Sequence, residues 1–89
     1  MSPLMSVKKP SPAEIEMAGD WEIWEKEPSE FPWYYDQKET CYILEGSARV
    51  TAPDGSYIEF GAGDWVVFGQ GLKCTWKITR KIKKHYMFG

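Results

Sequence analysis

The chain has 89 residues, a formal net charge of −2 and 43% hydrophobic residues, values typical of one small globular domain. The small negative charge argues against an obligate nucleic-acid-binding protein, and we interpret the basic residues concentrated between Lys77 and Lys84 as a solvated strand edge. No apolar run approaches the roughly 20 residues that cross a membrane, and the N-terminal residues lack the apolar core of a signal peptide. We therefore expect a soluble cytoplasmic protein without nucleic-acid or membrane partners.

The start of the sequence predicts a flexible arm followed by a short helix. Residues 1–10 contain two prolines and two lysines and are interpreted as the arm. Ser11 is a suitable N-cap, Pro12 favours the first helical position, and Glu14 completes the pattern of a capping box. A glycine soon ends this helix. The sequence thus predicts a single domain over residues 11–89.

From residue 20 onward, the hydrophobic pattern indicates β-structure. Apolar and polar residues alternate in short runs, separated by turn sequences such as Pro-Asp-Gly-Ser at 53–56. About eight short strands are predicted, over residues 21–24, 31–35, 39–45, 48–52, 57–60, 65–68, 72–79 and 82–88. This spacing predicts an all-β sandwich or barrel with a short N-terminal helix.

Two motifs in the centre of the chain carry a family resemblance. Glu39 is followed by the six residues Thr-Cys-Tyr-Ile-Leu-Glu and then by Gly46. A second motif begins at Gly63, contains Gly71, and ends at Cys74. The order and spacing resemble the two motifs of the cupin superfamily, in which the second motif ends in histidine. The resemblance implies a jelly-roll barrel whose open mouth can hold a ligand.

More narrowly, the chain is similar to small single-domain cupins related to the cupin domain of ureidoglycine aminohydrolase. The similarity covers roughly residues 20–88 and is carried by segments 31–35, 39–46, 63–68, 74–76 and 83–86. It implies a small-molecule pocket inside the barrel and metal-assisted hydrolysis of a small, nitrogen-rich substrate. Because cupins include enzymes, binding modules and storage proteins, the alternative is a non-catalytic, metal-free binding or assembly module. Cupins often pair through edge strands, and a small chain gains stability by association, so we expect a homodimer.

The family's metal ligands are mostly replaced in this sequence. Metal-binding cupins carry two histidines before the glutamate of the first motif and one in the second. Here the paired positions hold Trp33 and Tyr35, or Pro32 and Tyr34 in the other register, and only Glu39 keeps its identity. The usual site of three histidines and one glutamate is therefore not expected.

Glu39, Cys74 and the sole histidine, His85, form a candidate metal set, with Cys41 as a further donor. Alternation places Glu39 and Cys41 on one strand face, and the resemblance implies that this face and that of Cys74 look into the barrel. Carboxylate, thiolate and imidazole suit borderline-soft ions, so one divalent Zn, Mn, Fe or Ni ion is the candidate cofactor. The alternative is that both cysteines are small buried apolar residues.

Glu39 also has a candidate catalytic role that needs no metal. A carboxyl group in aromatic surroundings has its pKa raised by desolvation and can act as a general acid or base. Alternatively, Glu39 accepts hydrogen bonds from the backbone or from tyrosine hydroxyls and holds the mouth of the barrel together. The ligand pocket around it is predicted to include Trp33, Tyr35, Cys41 and Trp76.

Overall fold

The computed structural model describes residues 4–89, in which seven strands and one short helix are found. In chain order the elements are β1 (Met5–Lys8), α1 (Pro12–Ala18), β2 (Glu22–Lys26), β3 (Ser29–Tyr34), β4 (Glu39–Thr51), β5 (Tyr57–Gly61), β6 (Trp65–Phe68) and β7 (Lys73–Phe88). The prediction of an all-β protein with a short N-terminal helix is confirmed. Within residues 4–89, no helix has both the length and the apolar character that crossing a membrane requires.

The helix α1 begins at the predicted capping box. The Ser11 hydroxyl accepts a hydrogen bond from the backbone N–H of Glu14 at 3.2 Å, and the Glu14 carboxylate accepts one from the backbone N–H of Ser11 at 2.8 Å. These two contacts satisfy N–H groups that have no partner inside the helix. At the other end of the helix, the fully buried Ala18 anchors it to the domain.

One antiparallel sheet surrounds the core, with the strand order β1-β6-β4-β7-β2. In addition, β3 pairs with β7, and β5 pairs with β4. The two long strands, β4 with 13 residues and β7 with 16, each cover a region where two shorter strands were predicted. Between Ile43 and Ala48, where the sequence predicted a break, β4 continues as one strand and shifts its pairing register against β7. Because such bulges bend a strand without ending it, β4 can pair with β6 at its beginning and with β5 at its end.

Residues 5–8 do not belong to a flexible arm, so that prediction is wrong for this segment. They form β1, which pairs with β6 so that Met5 faces Phe68 and Lys8 faces Trp65. The Met5 side chain is buried in the hydrophobic core. The strand thus covers the edge of β6, and the domain begins before residue 11. The rest of the predicted arm that precedes residue 4 lies outside the described residues.

Gly46, the glycine of the first motif, lies in β4 directly against the backbone of β7. Its φ of 88° is a conformation that favours glycine. A Cβ atom at this position would overlap the carbonyl oxygen of Lys81 and lie 2.8 Å from the Cα of Ile82. The motif therefore needs glycine here for two reasons, backbone conformation and close approach. This crossing fixes the register of the segments of β4 and β7 that carry the site described below.

Aromatic side chains dominate the interior of the barrel. Tyr35 stacks on Phe68 with ring centroids 5.0 Å apart, and Trp76 lies 5.4 Å from Phe68. Phe60 meets Trp76 edge to face at 5.5 Å. Such pairs add to the free energy of apolar burial and fix ring orientations. The rigid aromatic core forms the floor of a cavity.

Candidate functional site

A cavity of about 180 Å³ lies between β2, β3, β4 and β7. Seven of its nine lining residues are aromatic, and the other two, Glu39 and Lys84, carry opposite charges. The aromatic lining consists of Trp24, Phe31, Trp33, Tyr35, Trp76, Tyr86 and Phe88. A small apolar cavity with a few convergent polar groups is the usual form of a small-molecule site.

The polar centre of the cavity is a buried ion pair. Lys84 Nζ donates to Glu39 Oε2 at 2.8 Å, and the Tyr35 hydroxyl donates to Glu39 Oε1 at 2.7 Å. Glu39 is 3% exposed and Lys84 is 4% exposed. Each carboxylate oxygen thus has a partner, as a buried charge requires. The pair contributes no net charge to the cavity.

Two tryptophan rings also stabilise the ammonium group of Lys84. Its Nζ atom lies 4.6 Å from the ring centroid of Trp76 and 4.9 Å from that of Trp24. A cation over the face of an indole is attracted by the electrons of the ring, and the attraction grows when water is excluded. The Cys41 thiol lies 3.9 Å from the same nitrogen. Lys84 therefore occupies a cation site built from a carboxylate and two aromatic rings.

The other ionisable groups near the pair are neutral at physiological pH. Burial raises the pKa of the Tyr35 hydroxyl, and the negative charge of Glu39 raises it further. Burial also raises the pKa of the Cys41 thiol, which outweighs the lowering by the charge of Lys84. Both groups consequently keep their protons, and Tyr35 remains a hydrogen-bond donor to Glu39.

Strand alternation explains how Lys84 reaches the interior. On β7 the side chains of Cys74, Trp76, Ile78, Ile82 and Lys84 are all buried and all have even numbers. Alternate residues of a strand point to the same face, so Lys84 follows the core residues inward. The prediction of a solvated basic edge over residues 77–84 did not identify Lys84 as an interior residue. The parity of the neighbouring isoleucines was the signal that could have identified it.

The structure brings several predicted pocket residues to one place. Trp33, Tyr35 and Trp76 line the cavity together with Glu39. Trp33 is 48% exposed, whereas Tyr35 and Trp76 are buried, so Trp33 lies at the mouth. Cys41 is fully buried behind Lys84 and does not line the cavity.

The predicted metal set of Glu39, Cys74 and His85 is not brought together, and this assignment is corrected. Nδ1 of His85 lies 3.0 Å from the carbonyl oxygen of Trp21, on the face of β7 opposite to Lys84. The Cys74 thiol donates to the carbonyl oxygen of Trp33 at 3.5 Å. Nowhere in residues 4–89 do three or more His, Cys, Asp or Glu side chains form a group that could hold a metal ion. The residues at Glu39 thus do not fit a divalent metal, because fewer than three such side chains meet there and the ammonium group of Lys84 lies 2.8 Å from the carboxylate.

The two cysteines are both free thiols. Burial raises the pKa of the Cys74 thiol to about 11, and the charge of Glu39 contributes to this increase. A thiol that stays protonated is a poor metal ligand, since the thiolate is the species that binds. The sequence alternative, in which the cysteines are small buried apolar residues, matches their burial.

The barrel, its two motifs and its interior cavity define the class of this protein as a cupin. Residues 16–86 match the family of EutQ-like cupin domains, and the chain belongs to this family. The cupin resemblance inferred from the sequence is therefore confirmed. The narrower resemblance to ureidoglycine aminohydrolase stays a prediction. A search of curated proteins found no match.

Solved structures of similar proteins agree with this family assignment. A DUF861 family protein from Thermotoga maritima is 46% identical, with a TM-score of 0.92 over 96% of this chain and 99% of that one. A DUF861 family protein from Pseudomonas syringae is 26% identical, with a TM-score of 0.69, covering 75% of this chain and 29% of that one. The EutQ protein of Clostridium difficile is 18% identical, with a TM-score of 0.68 over 74% of this chain and 52% of that one, and shares the fold.

Proposed function

We propose that this cupin is a metal-independent binding protein for a small, largely apolar molecule that places one polar group at the Glu39–Lys84 pair. The observation that carries the proposal is a buried, electrically neutral ion pair at the centre of an aromatic cavity. Aromatic walls supply apolar contact, and the pair supplies a few directed polar groups. This combination is what a site for a small organic ligand requires.

The volume and lining of the cavity limit the ligand. At about 180 Å³ the cavity is smaller than the roughly 300–1,000 Å³ of sites for drug-sized molecules. An apolar protein cavity of about 150 Å³ holds benzene. A single ring or a short branched chain with one polar group therefore fits. Among the residues that line the cavity, Lys84 is the one cation and Glu39 the one anion, so an uncharged ligand leaves the pair intact.

Metal-assisted hydrolysis of a nitrogen-rich substrate, which the resemblance to ureidoglycine aminohydrolase implies, receives less support from this site. A strongly polar substrate needs many hydrogen-bond partners, and the lining is mainly aromatic. Glu39 would also have to release Tyr35 or Lys84 before it could activate a water molecule for hydrolysis. We therefore favour the metal-free alternative among the two functions that the sequence suggested.

Thermal unfolding with small cyclic compounds tests the proposal. Trp33→Ala removes one wall at the mouth, and the neighbouring Tyr34→Ala is the matched control, since Tyr34 is 55% exposed and does not line the cavity. A ligand at one hundred times its Kd stabilises the folded state by about 2.7 kcal/mol. We expect such a ligand to raise Tm in the wild type and in Tyr34→Ala, but less in Trp33→Ala. Equal increases in all three proteins would contradict binding in this cavity.

Elemental analysis of untagged protein, purified without chelators, separates the two functions. We expect well below one atom of Zn, Mn, Fe or Ni per chain, and no increase in Tm when these ions are added. The physical reason is that both oxygens of Glu39 accept hydrogen bonds within the protein. About one metal atom per chain would instead support the hydrolase, with Glu39 as its first residue to test.

The homodimer stays a prediction. Light scattering at several protein concentrations checks it, and the mass of a single chain at every concentration would contradict it.

A further inference from the structure

Lys84 carries a primary amine into a cavity that is open to a ligand. A lysine shielded from water in an aromatic pocket is the usual setting for an amine nucleophile that attacks carbonyl compounds. We propose that Lys84 Nζ forms a reversible Schiff base with a small, uncharged aldehyde or ketone bound in the cavity. This inference rests on the proposed function and specifies the chemical class of the ligand.

The Glu39 carboxylate is placed to accept the proton that the amine must lose. Glu39 Oε2 lies 2.8 Å from Lys84 Nζ, within direct transfer distance. Transfer gives a neutral amine, whose lone pair is free to attack, and a protonated carboxyl group. The hydrogen bond from Tyr35 to Glu39 Oε1 holds that carboxyl group in position. Glu39 is therefore the acid–base partner of the reaction, and Tyr35 is a positioning residue.

The reaction balances without an oxidant, a reductant or a metal. The amine nitrogen bonds to the carbonyl carbon, and the proton held by Glu39 moves to the carbonyl oxygen. Glu39 next takes a second proton from the nitrogen and passes it to the new hydroxyl group, so that the carbon–oxygen bond breaks, water leaves and a carbon–nitrogen double bond forms. The three protons of the ammonium group end as two on the water molecule and one on the iminium nitrogen. Addition of water reverses the sequence and releases the carbonyl compound.

The same groups that stabilise the ammonium ion stabilise the product. An iminium ion keeps the positive charge at the nitrogen, so its ion pair with Glu39 survives. The rings of Trp24 and Trp76, whose centroids lie within 5 Å of Nζ, attract this cation as they attract the ammonium group. Aromatic walls also limit the water that hydrolyses the adduct. No new charge is created in the buried site, so the step avoids a desolvation cost.

Benzaldehyde and benzyl alcohol form a matched pair of probes, because both place one ring and one oxygen in the cavity but only the aldehyde forms an imine. The protein is incubated with benzaldehyde and sodium cyanoborohydride, and peptide mass spectrometry locates the added benzyl group. Lys84→Arg keeps a cation beside Glu39 but cannot form the adduct. Lys83→Arg is the control, since Lys83 points to the other face and pairs with Glu45. Glu39→Gln/Lys84→Met, which leaves no buried charge unpaired, serves as a second variant if the arginine does not fit.

We expect at least about tenfold more benzyl label on Lys84 than on Lys83, because the cavity holds the aldehyde against one amine. The excess should disappear in Lys84→Arg and in Glu39→Gln/Lys84→Met and persist in Lys83→Arg. Label confined to surface amines, while both probes raise Tm, would overturn the Schiff base and leave the proposed function standing. If neither probe raises Tm and Lys84 is unlabelled, the Schiff base is overturned and the proposed function fails for ligands of this class.

Discussion

The buried Glu39–Lys84 pair predicts a strong energetic coupling between these two residues. Replacing one partner, in Glu39→Gln or Lys84→Met, leaves the other charge buried without its counter-ion. Such a change costs about 3–5 kcal/mol of folding free energy. For a domain of 89 residues, whose stability is roughly 0.05–0.15 kcal/mol per residue, this is a large fraction of the total.

The double variant Glu39→Gln/Lys84→Met should be far less destabilised than the two single changes together. It contains no buried charge, and the methionine side chain fills the space of the lysine stem. Replacing a buried pair with uncharged residues is often close to neutral. Because the two single changes together cost about 6–10 kcal/mol and the double variant is close to neutral, we expect a coupling free energy of about 6 kcal/mol or more, above the roughly 0.5–3 kcal/mol that is usual for contacting residues.

Urea denaturation measures the free energy of unfolding of all three variants. Tryptophan fluorescence is a suitable probe, because Trp24 and Trp76 contact Lys84 directly. The matched control is the exposed pair Lys83–Glu45, on the same two strands, with atoms 3.9 Å apart and side chains 34% and 70% exposed. Its coupling should stay below about 1 kcal/mol because water screens it. If the single changes at Glu39 and Lys84 add within about 0.5 kcal/mol, the two side chains do not form a buried pair, and the basis of the proposed function is refuted.

Three further predictions concern the fold and the site. Gly46→Ala should lower the free energy of unfolding, measured by urea denaturation, by about 3–5 kcal/mol, because the new Cβ atom meets the facing strand. The control Gly55→Ala, with a φ of 89° and open space around the Cβ atom, should lower it by about 1–2 kcal/mol. Equal losses in the two variants would contradict the close approach of β4 and β7 at Gly46. Tyr35→Phe should lose about 1.5–3 kcal/mol because a buried charge loses a hydrogen-bond donor, and an unchanged urea midpoint would argue against that contact. A raised pKa leaves less thiolate at a given pH, so the rate of Cys74 alkylation by iodoacetamide should still increase at pH 10, where an ordinary thiol with a pKa of about 8.5 levels off. Fully buried Cys41 should react more slowly at every pH. A plateau of the Cys74 rate near pH 9 would contradict the raised pKa.

The sequence predicts the fold well because its signals are local. Alternating residues, turn glycines and the capping box at Ser11 each act over a few positions, and each has the predicted structure. The segment Met5–Lys8 was missed, because four residues beside two prolines carry little periodicity, and their pairing with β6 is a contact between distant parts of the chain. The two predicted halves of β7 form one strand, because Arg80, which lies between them, pairs with Ser47 of β4 instead of lying in a turn.

The candidate site was predicted only in part, because its decisive contact joins two distant strands. The first motif identified Glu39, and the aromatic segment before it identified Trp33 and Tyr35. Lys84 was missed because a lysine in a basic run is usually exposed. Its burial depends on Glu39, an acceptor 45 residues away in the sequence, and only the pairing of β4 with β7 brings the two side chains together.

The lysine also explains why the glutamate of the first motif persists without the histidines that usually accompany it. A buried carboxylate without a counter-charge would be costly, and in metal-binding cupins the ion supplies that charge. In this chain neither register of the first motif offers a histidine, and the ammonium group of Lys84 lies 2.8 Å from the Glu39 carboxylate. The interior thus pairs a carboxylate with a cation, and this cation is the ammonium group of Lys84. The proposed Schiff-base reaction uses these two groups, with Lys84 as the attacking amine and Glu39 as the group that takes up and returns its proton.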